Sequence, residues 1–107
     1  MDKIIEPPAP TEEKLLSMVT RDVIFPNGRS MTMAMSQWHW EMVAFVDIWN
    51  DHYSREQGIL WEFLQQKNNV TDTFFAEAVM AILRDDYNEW LAATPSGKPI
   101  RFVDPRP

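Results

Sequence analysis

Few residues in this 107-residue chain have the types and spacing to do chemistry. His39 and His52 lie 13 positions apart with Asp51 beside the second, which is not a recognised metal-ligand spacing. Asp85 and Asp86 form an adjacent carboxylate pair of the kind that can serve acid-base work, but they sit in "RDDYNEW", which reads as the solvated face of a helix. The chain has no cysteine, no glycine-rich phosphate loop, no HExxH helix and no G-x-S-x-G elbow. The familiar nucleophile and metal chemistries therefore have no anchor, and neither an enzyme nor a bound cofactor or metal is expected. What remains is recognition chemistry. Arg21 and Arg29 against Asp22 make one locally positive stretch, and the hydroxyls of Ser30 and Thr32 stand beside it.

The elements that must hold these groups follow from hydrophobic periodicity. In "GRSMTMAMSQWHW", residues 28 to 40, apolar and polar side chains alternate. Met31, Met33 and Met35 therefore share one strand face, with Ser30, Thr32 and Ala34 on the other. "PNG" just before it is a turn signal, and Val23 to Phe25 form a short apolar run. Ser36 suits an N-cap, with Met35 and Trp40 at hydrophobic-staple spacing, so a helix starts there. Trp38, Met42, Phe45, Val46 and Trp49 repeat at steps of three and four, and Trp40, Val43 and Ile48 widen that surface until the helix must be buried on more than one side. Ser54 and Gln57 stand in capping-box spacing and begin a second helix at Arg55, bearing Leu60, Trp61, Phe63 and Leu64. A third helix, capped by Thr71 or Asp72, carries Phe75, Val79, Ile82, Leu83 and Trp90 as its buried stripe.

Three prolines within "PPAP" mark residues 1–20 as a flexible arm, helical only near "EEKLLSMV", and four prolines mark residues 94–107 as an extended tail that can dock through Ile100, Phe102 and Val103. Residues 21–93 form the one domain. No signal-like or membrane-spanning apolar run is present, so a soluble, cytoplasmic protein is expected, without a membrane partner. The formal net charge is −6, and residues 36–93 hold three basic groups against ten acidic ones. Such a balance opposes generic nucleic-acid binding, whose affinity comes from neutralising phosphates.

A single strand in a helical chain calls for a strand from another molecule, and two-fold antiparallel pairing of two copies would supply it. The order of "GRSMTMAMSQWHWEMV", "SREQGILWEFL" and "NNVTDTFFAEAVMAIL", with "RDVIF" ahead of it, resembles the bacterial ribbon-helix-helix family over roughly residues 21–84. The resemblance implies a mainly α homodimer with an intermolecular antiparallel two-stranded ribbon, here with a third helix that completes the dimer or serves a tetramer. It implies a dimer core of Met31, Met33, Met35, Trp38, Met42 and Val46. It also implies double-stranded DNA as partner, with Ser30, Thr32 and Ala34 facing bases in the major groove and Arg21, Arg29, Ser54 and Arg55 at phosphates. The sequence departs from that family's usual Arg, Lys, Asn or Gln on the outward face. Two functions follow: a dimeric DNA-binding transcriptional regulator, or an acidic protein-interaction module on the same scaffold that does not bind DNA. Five tryptophans and two proline-rich arms suit the second.

Overall fold

A computed structural model describes residues 4–50, 58–66, 71–93 and 102–103. In chain order the elements are β1 (Ile4–Ile5), α1 (Glu12–Leu16), β2 (Met18–Ile24), β3 (Ser30–Ser36), α2 (Gln37–Trp49), α3 (Gly58–Gln66), α4 (Asp72–Ala92) and β4 (Phe102–Val103). Helices predominate, and β2 and β3 form an antiparallel hairpin, so this is a small α/β fold. A second ladder of two residues a side joins β1 to β4.

The turn makes the hairpin. Gly28 adopts φ +85°, which only glycine reaches without steric cost, and its N–H donates to the Phe25 carbonyl at 2.9 Å. The Arg29 N–H donates to Asn27 Oδ1 at 3.0 Å, and the Phe25 N–H closes the loop on the Arg29 carbonyl at 2.8 Å. Pro26, Asn27 and Gly28 thus form a three-residue connection whose last member is left-handed. From it the register runs Ile24–Ser30, Asp22–Thr32, Thr20–Ala34 and Met18–Ser36.

This corrects the expectation that β3 lacks a partner within its own chain. It pairs along its whole length with β2, which begins at Met18, inside the stretch that reads as an arm. The segment escapes a period-2 reading because its ends, Met18 and Ile24, are apolar on the outer face, while its inner row is interrupted by Arg21.

Met31, Met33 and Met35 are buried against the helices of the same chain, together with Trp38, Met42 and Val46. Residues implied as a dimer core thus already form the core of one chain. Ser36 caps α2, its Oγ accepting the His39 N–H at 3.2 Å, and Thr71 caps α4, its Oγ1 accepting the Phe74 N–H at 3.1 Å. The third helix, α4, lies against β3 and α2 of its own chain, with Phe75, Val79 and Leu83 fully enclosed and Phe74 exposed. Phe25, just after β2, meets Phe75 edge to face, and Trp38 on α2 meets Tyr87 in the same way, so the end of the hairpin and α2 both interlock with α4 through aromatic rings. The N-terminal stretch straps over α2: Trp38 Nε1 donates to the Pro8 carbonyl at 2.7 Å, and Lys14 Nζ pairs with Glu41 at 2.8 Å.

The α2–α3 junction rests on one carboxylate. Asp47 Oδ1 accepts the Ile59 N–H at 2.7 Å, capping α3 from across the interface. Gly58 has φ +31°, and a Cβ at that position would run into the Asp47 carboxylate. Gly58→Ala is expected to destabilise the fold by about 1–3 kcal/mol through strain and loss of that cap, and Asp47→Ala by about 1–2 kcal/mol, both read from urea-unfolding midpoints.

Candidate functional site

The recognition face is built by the hairpin's alternation. Even-numbered residues of both strands, up to Ala34, point away from the helices: Met18, Thr20, Asp22 and Ile24 on β2, and Ser30, Thr32 and Ala34 on β3, whereas Ser36 at the end of β3 is buried. All seven are exposed, Met18 and Ile24 at 61% and 57% of their free surface, which is unusual for side chains of that size on a sheet. Ser30, Thr32 and Ala34 therefore occupy the outward row assigned to them from the alternation. They share it with a carboxylate. Thr32 Oγ1 donates to Asp22 Oδ1 at 2.8 Å across the strands, so the centre of the face is an acceptor-rich, negatively charged spot.

Neither arginine adds positive charge to that centre. Arg21 belongs to the inward-parity row, and its guanidinium carbon lies 4.9 Å from the centroid of the Trp40 ring. Arg29 sits at the end of the turn, where Nη2 stands 3.6 Å from Asp72 Oδ1 at the start of α4. Ser54 and Arg55, the other phosphate candidates, lie outside the described residues, as does His52.

The hairpin also leaves two sheet edges. The Phe25 N–H donates to the Arg29 carbonyl at one end of the ladder, and the Gln37 N–H to the Ser17 carbonyl at the other, each at 2.8 Å. Those two pairs set the antiparallel alternation, so Val23–Met31, Arg21–Met33 and Val19–Met35 are the hydrogen-bonded pairs between them. The backbone N–H and C=O of Thr20 and Asp22 on β2, and of Ser30, Thr32 and Ala34 on β3, consequently face outward. Among the described residues no strand pairs with either edge.

Beneath the strands lies a buried polar pair. The Ser36 hydroxyl is hydrogen-bonded to His39 Nδ1, and Ser36 Oγ also accepts the His39 backbone N–H at 3.2 Å. Burial pushes the His39 pKa down, and the Arg84 cation on α4 pushes it further in the same direction. On α4, burial raises the Asp86 pKa, with Glu89 and then Asp85 adding to the effect. Burial also raises that of Tyr87, followed by the charge of Glu6. None of these contacts was legible in the sequence beyond the N-cap itself, because Ser36–His39 is local but Arg84 reaches it only through packing.

Among the described residues no group of three or more His, Cys, Asp or Glu side chains is placed to hold a metal ion, and no helix is long and apolar enough to cross a membrane. No family model matches the chain, and neither a curated protein nor a solved structure is similar to it.

The lowered pKa of His39 has a direct consequence for stability. In the unfolded chain the imidazole takes up a proton near its ordinary pKa of about 6.5, whereas in the folded chain it stays neutral to a lower pH. Stability is therefore expected to fall as the pH drops below about 6.5 and to level off below the folded-state pKa. Asp86 acts in the opposite sense, since a raised carboxyl pKa stabilises the fold as it protonates. Urea midpoints are compared at about pH 7.5 and 5.5, and in His39→Gln the loss of stability between the two should shrink.

Proposed function

We propose that the chain is a protein-interaction module that dimerises through its hairpin, and that the outer hairpin face meets a protein instead of DNA. In this reading two copies pair antiparallel through the outer edge of β3, giving a four-stranded sheet in the order β2, β3, then β3 and β2 of the partner copy. Support for the pairing comes from the outward N–H and C=O groups of Ser30, Thr32 and Ala34, which another β3 matches about a two-fold axis.

The observation that carries the choice of partner is Asp22 at the middle of the exposed face, held there by Thr32. A dimer would bring two such carboxylates to the groove, where each meets phosphate charge and, among the described residues, no cation stands in the outward row beside it. Specific DNA binding draws much of its affinity from releasing counterions through Lys and Arg, and this face offers hydroxyls, a methyl group and carboxylates. The same face suits a protein with apolar and basic side chains: Met18 and Ile24 offer apolar area, and the −7 balance of residues 36–93 attracts positive charge over longer range.

The DNA-binding regulator is the second reading, favoured by the exposure of Ser30, Thr32 and Ala34 on one strand face. Binding to genomic duplex fragments at about 50 and 200 mM salt separates the two, because phosphate-driven affinity falls by orders of magnitude over that range. The interaction module predicts no salt-sensitive binding, and a nuclease-insensitive complex that is lost in the Met18→Asp, Ile24→Asp double variant. A salt-sensitive complex with duplex DNA, unaffected by that variant and lost in Arg29→Ala with Thr32→Ala, would reverse the assignment. The dimer itself is tested by light scattering. Ala34→Pro removes one outward N–H of β3 without touching the β2–β3 ladder, and should convert a dimer into a folded monomer.

A further inference from the structure

The N-terminal strap meets α2 through a chemically selective contact. Glu6, Pro7 and Ala9 each precede a proline, and Pro7, Pro8 and Pro10 have φ fixed by the ring, so residues 6–10 are biased to an extended chain by their own sequence. Such a chain is rich in carbonyl acceptors and poor in donors, because proline has no N–H. Trp38 answers it with the single polar group of an indole, which is a donor: its Nε1–H meets the Pro8 carbonyl at 2.7 Å. Pro7 beside it is buried, whereas Ala9 is exposed.

The seat is aromatic and fixed. Trp38 is buried, and its ring stands edge to face on Tyr87 of α4 with centroids 5.4 Å apart. Tyr87 is near enough to the segment for the Glu6 charge to act on it. The anchors on either side are short. Before the segment, the β1–β4 ladder joins Ile4 to Val103 and Ile5 to Phe102. After it, α1 is five residues long with Leu15 half-buried, and its Lys14–Glu41 pair stands at an open cleft of about 540 Å³ along α2, shared with Arg21 and Trp40, where water weakens an ion pair. The selectivity of the strap therefore sits at Trp38, between two slight moorings.

We infer that Trp38 and Tyr87 form a docking site for a proline-rich segment of a partner protein, which residues 6–10 occupy in cis until the partner's segment displaces them. The occupant follows from the segment already seated there. An extended chain with few donors matches a donor-only indole on an aromatic floor, as in other polyproline recognition, where the preformed chain has little entropy to lose. The segment in cis competes at a roughly millimolar effective concentration, so the site is closed to weak ligands and opens when the strap is loosened or the partner is in excess. The site uses neither the outer hairpin face nor the β3 edge, so it stands whether the partner proposed for that face is protein or DNA.

The test uses the full chain and two fluorescent heptapeptides of identical composition, Ile-Glu-Pro-Pro-Ala-Pro-Thr and its scramble Pro-Ile-Ala-Pro-Thr-Glu-Pro, followed by anisotropy. A Pro7→Ser, Pro8→Ser variant loosens the strap, and with unchanged circular dichroism it should bind the first peptide at least about tenfold more tightly than the wild type does, and about tenfold more tightly than it binds the scramble. Hydrogen exchange of the Trp38 indole N–H should quicken in the variant and slow again when the first peptide is added. In the wild type, an excess of unlabelled peptide should move the Ala9 amide resonance toward its random-coil position. Equal affinity for the two peptides, equal affinity of variant and wild type, an indole N–H that the peptide does not protect, or an Ala9 resonance that stays in place would each overturn the assignment. So would a self-association of the wild type that this variant loses but Ala34→Pro keeps, since the seat would then hold the strap of a second copy.

Discussion

The antiparallel bonding of β2 to β3 is the constraint on which the rest of the molecule depends. Once the turn at Gly28 fixes the register, the pleat assigns every side chain of both strands to one of two faces. The methionine row is sent inward onto α2 and α4, and the core forms around it. The opposite row is sent to solvent with Met18 and Ile24 at its ends and Asp22 at its middle. A slip of one residue in β3 would expose all three methionines, and one in β2 would turn Asp22 inward, so the same bonds that build the core also define what the face can recognise.

Electrostatics then divides the surface into separate territories. Arg21 and Arg29, adjacent to the hairpin in sequence, are drawn to Trp40 and Asp72 and do not share the outer face. The face is left acceptor-rich, whereas the cations gather beside it: Arg21 with Lys14 in the groove along α2. The strap of residues 5–17 contributes to this arrangement, because it brings Lys14 to Glu41 and the Pro8 carbonyl to Trp38. A segment whose prolines deny it a long helix thus becomes one wall of a cleft.

The helices were legible because their signals are local. Ser36 and Thr71 act as caps from within three residues, and the steps of three and four from Trp38 to Val46 and from Phe75 to Leu83 mark faces that packing then buries. The alternation of residues 30–35 was legible for the same reason. β2 was not, since Arg21 interrupts its inner row, and an arginine lying across a tryptophan ring leaves no trace in a pattern of apolar residues. Nor were Thr32–Asp22, Asp47–Ile59 and Arg84 beside His39, each of which joins positions at least ten apart.

By itself the sequence determined a strand with one apolar face, three helices, the caps Ser36 and Thr71 on two of them, a turn at residues 26–28 and an acidic balance, because each depends on side-chain type at short spacing or on a simple sum of charges. Only the tertiary structure decided which strand completes the methionine-bearing one, which side chains share its outward face, and which way the two arginines turn. Those outcomes depend on pairing and packing between segments that the chain brings together only when it folds, where a few ångströms separate a residue that presents charge to a partner from one that spends it on a neighbour.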